Sequence, residues 1–282
     1  MLRDYIQLVR LDKPIGILLL LWPTLWGLLI AGNGSPPIKI VLVFIIGVIL
    51  TRSAGCAIND FADRNFDSKV KRTLNRPLAR RAINKNSAIF ICMILSFIAF
   101  IITIYFLHID TILMSIPALI IYLSYPFMKR FFLFPQAYMA IAFSFGILMG
   151  FIELTGKIPL EAYLLFLANC FWAFGYDTIY AMVDKEDDLK IGIYTSAVTL
   201  GKYDSLGVIF SFLSFIFILS ILGVLLSMNL FYWILLLGAF LILIYQGFMI
   251  VRANNKLFNM FLLNNRVGLL ITLGIFCNYW FK

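Results

Sequence analysis

Apolar segments long enough to cross the ~30 Å hydrocarbon core of a membrane follow one another along almost the whole chain. Hydrophobic residues fill 62% of the 282 positions, charged residues fill only 13%, and the mean hydropathy is +0.97. Soluble globular domains do not have this composition. We therefore predict an all-α, polytopic membrane protein, a single domain over residues 1–282 that forms a bundle of about nine transmembrane helices. The predicted spans are residues 15–32, 39–58, 88–107, 111–127, 133–152, 160–183, 206–227, 229–251 and 267–281.

Lysine and arginine residues are distributed unevenly between the two sides of this arrangement. Of the 23 such residues, only Lys39, Lys157 and Lys282 fall on one side, and the other 20 fall on the opposite side. Short cytoplasmic loops retain positive charge, so we predict a bacterial inner-membrane protein with a cytoplasmic N-terminus and an external C-terminus. The same bias accounts for most of the net charge of +9, and we expect no binding of nucleic acid.

Two acidic clusters end the second and the sixth predicted spans. The first, NDFADRNFD at residues 59–67, places oxygen-bearing side chains every four residues, so in a helix they project from one face. They are Asn59, Asp63 and Asp67, with Asp60 beside them. The second cluster, YDTIYAMVDKEDD at residues 176–188, repeats this pattern. Its members on one face are Asp177, Tyr180, Asp184 and either Asp187 or Asp188.

Acidic helix faces at a membrane boundary need counter-ions. Neighbouring carboxylates repel by about 4 kcal/mol at an effective dielectric constant near 20. Mg²⁺ prefers hard oxygen ligands and commonly shares its coordination sphere with phosphate. The pattern therefore predicts that the two clusters meet on the cytoplasmic side and hold a diphosphate through Mg²⁺.

Basic residues accompany the acidic clusters. Lys71, Arg72 and Arg76 follow the first cluster, and Lys129 and Arg130 close the fourth predicted span. Guanidinium groups make bidentate contacts with phosphate, so these residues are candidates for binding the diphosphate. A diphosphate bound beside an apolar bundle indicates a substrate with a charged head and a long hydrocarbon tail, and polyprenyl diphosphate has this shape.

Aromatic rings are candidates for stabilising the carbocation that ionisation of an allylic diphosphate would produce. The candidates are Tyr122, Tyr125, Phe174 and Tyr180. For each of the first three, packing in the core is the favoured role. Tyr180 lies within an acidic helix face, which favours a role in the site.

Four separated segments carry a resemblance: AGCAINDFADRNFDSKVKRTLNRPLA, YDTIYAMVDKEDDLKIGI, RLDKPIGILLLLWPTLWGL and SYPFMKRFFLFPQ. They resemble the intramembrane aromatic prenyltransferase family, and most closely its subfamily that acts on 4-hydroxybenzoate, and the match extends over most of the chain. The resemblance implies a nine-helix bundle that depends on Mg²⁺. It also implies transfer of an all-trans polyprenyl group to the ring carbon ortho to the hydroxyl of 4-hydroxybenzoate, towards ubiquinone. One difference is that Arg80 and Arg81 follow RPLA, where the family pattern has a small or polar residue and then glycine.

The resemblance also implies roles for individual residues. The expected metal ligands are Asn59, Asp63, Asp67, Asp177, Asp184, Asp187 and Asp188, and which acids of the second cluster contact the metal stays open. The expected catalytic residues are Asp60, Asp63, Tyr180 and Asp184. The expected diphosphate contacts are Arg72, Arg76 and Lys129, with Arg130 and Arg10 as candidates for steadying the benzoate carboxylate.

Three alternatives compete with this interpretation. The acids could simply cap helices and balance the basic loops, but two faces in helical phase, each followed by basic residues, disfavour this. A cation-coupled transporter would place its acids near the middle of the membrane, whereas these lie at the cytoplasmic ends of the spans. A prenyltransferase for another acceptor, such as haem, chlorophyll or a naphthoquinone, would share both acidic clusters.

Overall fold

The computed structural model of the protein describes residues 2–252 and 256–281, and these residues form helices joined by turns and loops, without strands. The prediction of an all-helical fold is confirmed. In chain order the helices are α1 (Leu2–Leu8), α2 (Ile15–Ala31), α3 (Ile38–Asp67), α4 (Lys85–Phe106), α5 (Ile109–Met128), α6 (Pro135–Thr155), α7 (Leu160–Ile191), α8 (Ser196–Leu200), α9 (Asp204–Leu225), α10 (Leu230–Val251) and α11 (Leu257–Trp280). A 3₁₀ turn, Gly201–Tyr203, connects α8 to α9.

Residues at the turns explain where the helices begin and end. The side chains of Asn84 and Asn229 accept hydrogen bonds from the first turns of α4 and α10, which satisfies backbone donors that have no partner inside the helix. Gly156 and Gly192 follow α6 and α7 in the left-handed conformation, with φ of 65° and 78°. This conformation ends a helix at little cost when the residue is glycine.

Seven helical segments within the described residues are long and apolar enough to cross a membrane: α3, α4, α5, α6, α8 together with α9, α10 and α11. Helix α2 is apolar but has only 17 residues. The chain is therefore a multi-span membrane protein. Each of the nine predicted spans overlaps one of the long helices α2–α7 and α9–α11.

The core of the bundle forms around α7, which packs against α6, α9, α11 and α2. Trp172 of α7 is fully buried, and its ring lies 5.2 Å from that of Trp26 and 5.6 Å from that of Phe215. Its indole N–H donates to Asn264 Oδ1 of α11 at 2.9 Å. Hydrogen bonds between helices of this kind stabilise membrane bundles, in which water does not compete for the donors.

Helix α11 begins at Leu257, ten residues before the predicted span 267–281. The polar residues Asn264, Asn265 and Arg266 interrupt the apolar run, which is why the span was predicted too short. Two of them face the interior of the bundle. Asn264 accepts from Trp172, and Asn265 Oδ1 accepts from the indole N–H of Trp22 at 2.9 Å.

Helices α4 and α5 lie at the periphery. They contribute few buried residues, and large apolar side chains such as Phe90, Phe97 and Ile120 are exposed. Exposed apolar surface on this scale suits contact with lipid. At the turn between the two helices, the backbone N–H of His108 donates to the buried carboxylate of Glu153 at 2.9 Å.

Candidate active site

Both acidic clusters lie at the same end of the bundle and border one cavity of about 610 Å³. The last turns of α3 and α7, the loop 68–84, the segment before α2 and the start of α11 enclose it. Lys71 and Arg72 join the loop directly to α7. The backbone N–H of Lys71 donates to Asp187 Oδ2 at 3.1 Å, and Arg72 pairs with Asp184.

The first acidic cluster is almost completely buried at the end of α3. Asn59 and Asp60 line the cavity, and Asp60 is 0% exposed. Arg10 donates to Asp60 at 2.7 Å, and the Arg76 guanidinium lies 3.2 Å from the same carboxylate. Arg76 also donates to both oxygens of Asp67, at 3.0 and 2.9 Å. Burial alone would lower the pKa of Arg76, but the carboxylates of Asp60 and Asp67 raise it, so this guanidinium stays charged.

Lys129 and Arg130 follow α5 and point in different directions. Lys129 Nζ donates to Asp63 Oδ2 at 2.6 Å, inside the cavity. Burial alone would lower the pKa of Lys129, but the carboxylate of Asp63 raises it. Arg130 does not line the cavity; it donates to the carbonyl of Ala62 at 2.8 Å and lies over the ring of Phe66. The structure therefore separates Arg130 from the other basic residues proposed for substrate binding.

The second acidic cluster faces the first across the cavity. Arg72 donates through Nε to Asp184 Oδ1 at 2.9 Å and through Nη1 to the hydroxyl of Tyr180, and its guanidinium lies 4.3 Å from the centre of the Tyr180 ring. The members of the cluster that line the cavity are Asp177, Tyr180, Asp184 and Asp188. The sequence left open whether Asp187 or Asp188 shares the face of the other acids. In the structure Asp188 lines the cavity, whereas Asp187 lies outside the lining and accepts from the backbone N–H of Lys71.

Arg52 is a cavity residue that the sequence analysis did not single out. It precedes Asn59 by two helical turns on α3, and its guanidinium lies 5.5 Å from the centre of the Phe143 ring. Its Nε is buried without a hydrogen-bond partner in the part of the chain that the structure describes. Cys56, Tyr122 and Tyr125 lie near it, and the carboxylate of Asp177 is also close enough to interact with it electrostatically. An arginine seven residues before Asn59 lies on the same helix face, and this spacing could have identified it.

Aromatic side chains form the apolar wall of the cavity. Three of the four aromatic candidates, Tyr122, Tyr125 and Tyr180, line it, whereas Phe174 packs near Phe134 outside it. Two further rings come from α11. Phe258 and Phe261 line the cavity, and the ring of Phe261 lies 4.9 Å from that of Tyr180.

The oxygen atoms of the two clusters are suited to a hard divalent cation. Carboxylate and amide oxygens dominate the polar lining contributed by α3 and α7. Within residues 2–252 and 256–281, however, no three His, Cys, Asp or Glu side chains come together closely enough to hold a metal ion. Protein cations account for this spacing, because Arg10, Arg72, Arg76 and Lys129 each bind a carboxylate of the clusters.

Known proteins are similar in sequence to this chain over almost its whole length. Residues 20–265 match the UbiA prenyltransferase family. The 4-hydroxybenzoate octaprenyltransferase of Nitrosomonas eutropha is 53% identical over 272 residues, which cover 96% of this chain and 95% of that protein. The protein of the same name from Nitrosomonas europaea is 51% identical over 282 residues, covering 100% of this chain and 96% of its own length.

Solved structures share the fold at much lower sequence identity. A UbiA homologue from Aeropyrum pernix K1, in its apo form, superposes with a TM-score of 0.81 at 22% identity, covering 91% of this chain and 96% of the other. A UbiA homologue from Archaeoglobus fulgidus bound to GPP and Mg²⁺ gives a TM-score of 0.76 at 16% identity, covering 98% and 99%. These likenesses establish a common arrangement of helices.

Proposed function

This chain belongs to the UbiA prenyltransferase family, and on that premise we propose that it transfers an all-trans polyprenyl group from polyprenyl diphosphate to 4-hydroxybenzoate. The group is joined to the ring carbon ortho to the hydroxyl, in a step of ubiquinone biosynthesis. The names of the two Nitrosomonas relatives support this acceptor. They also make octaprenyl diphosphate the first donor to test.

One observation carries the proposal: a single cavity combines paired acids and cations with an aromatic wall, and the Nε of Arg52 in that wall has no hydrogen-bond partner among the described residues. The acids and cations suit a diphosphate. The aromatic wall suits an allylic cation and a planar acceptor. The Arg52 guanidinium suits a carboxylate, which 4-hydroxybenzoate carries.

We propose that Mg²⁺ binds between α3 and α7. The residues that would hold it are Asn59, Asp63, Asp67, Asp177, Asp184 and Asp188. When bound, Mg²⁺ supplies positive charge that stabilises the departing diphosphate. The Archaeoglobus fulgidus homologue bound to GPP and Mg²⁺ supports the choice of metal. Asp187 would instead hold the loop 68–84 in place through the N–H of Lys71.

The cations of the site would change partners when the diphosphate enters. Arg72, Arg76 and Lys129 now donate to carboxylates, and each can turn its N–H donors to phosphate oxygens instead. The carboxylates that they leave are among those proposed to hold Mg²⁺. Asp60 would keep Arg10 and Arg76 in position, since it is fully buried between them.

In the reaction that we propose, the allylic C–O bond breaks and its electron pair leaves with the diphosphate. Tyr180, with the other cavity rings, faces the carbocation that forms. The ring carbon ortho to the acceptor hydroxyl supplies the electrons of the new C–C bond, and its proton passes to a carboxylate of the cavity. Arg52 would hold the acceptor by its carboxylate, with Arg10 as a second candidate.

The same proposal extends to the arrangement in the membrane. The chain would form one domain of nine transmembrane helices in the bacterial inner membrane. These would be the seven segments named above together with α2 and α7. The N-terminus and the cavity would face the cytoplasm. The excess of basic residues on that side supports this orientation.

Assay of membranes that contain the protein tests the function directly. Labelled 4-hydroxybenzoate, Mg²⁺ and octaprenyl diphosphate are expected to give a prenylated benzoate, and EDTA is expected to abolish the product. Parallel reactions with a naphthoquinone precursor and with haem test the other acceptors. Product from one of these, and none from 4-hydroxybenzoate with donors of several lengths, would overturn the acceptor that we propose.

A further inference from the structure

A second pocket, of about 380 Å³, lies beside the loop 68–84 and away from the cavity. The end of α3, the second half of the loop and the start of α4 form it. Its charged lining consists of Arg64, Arg81 and Lys85, and none of the described residues that line it is acidic. The pocket therefore concentrates positive charge without the carboxylates that balance it in the cavity.

Arg81 occupies this pocket with an unusual backbone. Its φ is 59°, in the left-handed region that favours glycine. The chain therefore carries a bulky side chain where the backbone disfavours one. Local strain of this kind often occurs at functional sites. The Arg81 side chain lines the pocket together with Arg64 and Lys85.

Helix α4, which begins at this pocket with Lys85, also carries an exposed apolar face. Phe90, Met93 and Phe97 recur at helical spacing on it, and they are 59%, 57% and 64% exposed. The mainly polar lining of the pocket also includes two buried apolar side chains, those of Leu78 and Ile83. A ligand with a negative head and hydrocarbon chains would match both parts of this surface.

We propose that the pocket binds the phosphate group of an anionic membrane phospholipid, whose acyl chains lie along the exposed face of α4. Basic pockets at the ends of transmembrane helices bind anionic headgroups by charge and hydrogen bonding. Bound lipid would also hold the loop 68–84, whose opposite side carries Arg72 and Arg76. This consequence for activity depends on the proposed function, whereas the binding itself does not.

Native mass spectrometry of the purified protein tests the binding without any prenyl substrate. The protein is mixed with phosphatidylglycerol or phosphatidylcholine of matched chain length, and the bound lipid is counted. Wild-type protein is expected to prefer phosphatidylglycerol. Each cation near the headgroup contributes about a fivefold increase in affinity, so the combination Arg64→Gln, Arg81→Gln and Lys85→Gln is expected to remove the preference.

Two controls keep the result specific. The combination Lys190→Gln, Lys202→Gln and Arg252→Gln removes the same charge away from the pocket and is expected to leave the preference unchanged. Arg81→Gly relieves the left-handed backbone, so this variant is expected to fold at least as stably as wild type while its affinity for phosphatidylglycerol falls about fivefold.

Three outcomes would overturn the proposal. Wild-type protein could bind the two lipids equally, or the pocket and control combinations could lose the preference to the same extent. Displacement of phosphatidylglycerol by millimolar inorganic phosphate would assign the pocket to a soluble anion instead. Prenyl transfer by the same preparations, measured separately in detergent, distinguishes each of these results from a failure of the proposed function.

Discussion

At the scale of single residues, the cavity holds its acids and cations in pairs that a diphosphate would rearrange. Asp63 with Lys129 and Asp184 with Arg72 are the two pairs on opposite sides of the cavity. Removal of one partner leaves the other charge without compensation, at a cost that grows with burial. We therefore expect substitution of either acid to change both substrate binding and turnover.

Asp184 and Asp187 offer a matched test, because they lie on the same helix and differ in where they face. Asp184→Asn is expected to lower kcat at least about 100-fold, the size of effect found when a group that stabilises developing charge is removed. Asp187→Asn removes the same charge outside the cavity lining and is expected to have a much smaller effect. Steady-state kinetics of the two variants in detergent provides the measurement, and equal losses would contradict the placement of Asp187.

Arg52 and Arg130 form a second matched pair. Arg52→Gln is expected to raise KM for 4-hydroxybenzoate about 10- to 100-fold, since a hydrogen bond to a charged group contributes about 1.5–3 kcal/mol. Its KM for the prenyl diphosphate should change little. Arg130→Gln should leave both KM values near those of wild type. Loss of affinity for the prenyl diphosphate instead would show that Arg52 binds that substrate and would contradict its proposed contact with 4-hydroxybenzoate.

The two acidic clusters could be predicted from the sequence because helical phase decides which of these side chains share a face. The residues that pair with those acids were harder to predict. Nothing in the spacing of Asp187 and Asp188 decides which one faces the cavity, since the choice depends on how α7 is rotated against the loop. Arg52 was missed because it lies within an apolar run.

At the scale of helices, α3 and α7 continue well past the apolar segments that predicted them, to Asp67 and Ile191. This continuation carries both acidic clusters to the cavity. Helix α3 also lies close to α5 beside the cavity. Gly55 has no side chain, and a Cβ there would collide with the ring of Tyr122, which lines the cavity wall.

Gly55 and Gly47 provide a test within one helix. Gly55→Ala is expected to destabilise the protein by about 1–3 kcal/mol, as other overpacking substitutions do, and to lower activity by displacing Tyr122. A Cβ at Gly47 would meet nothing within 4 Å. Gly47→Ala is therefore expected to be neutral or to stabilise by up to about 1 kcal/mol. Thermal unfolding in detergent checks both, and an unchanged Gly55→Ala variant would contradict the close approach of α3 and α5.

The order of the long helices follows from hydropathy, whereas contacts between distant helices do not. Phe258 and Phe261 reach Tyr180 only because α11 packs beside α7. Their sequence neighbourhood looks like an ordinary amphipathic helix start. The early start of α11 was not predicted for the same reason. Asn264 and Asn265 accept hydrogen bonds from indole N–H groups on α7 and α2, and the sequence does not show these contacts.

At the scale of the whole molecule, the account requires the cavity to face the cytoplasm. Single cysteines at Glu186 and Lys157, in a protein whose four native cysteines are replaced, test this with a membrane-impermeant maleimide. Lys157→Cys is expected to react in intact spheroplasts, and Glu186→Cys only after the membrane is made permeable. The reverse pattern of labelling would contradict the predicted orientation of the protein in the membrane.

The central claim is that the acids of α3 and α7, with divalent ions between them, grip one diphosphate. Equilibrium binding of a prenyl thiolodiphosphate, which does not react, measures this most directly in the presence and absence of Mg²⁺. The account predicts tight binding only with Mg²⁺, and a loss of affinity of at least tenfold in both Asp63→Asn and Asp184→Asn. Equal affinity without divalent ions, or binding that survives neutralisation on one of the two helices, would contradict it.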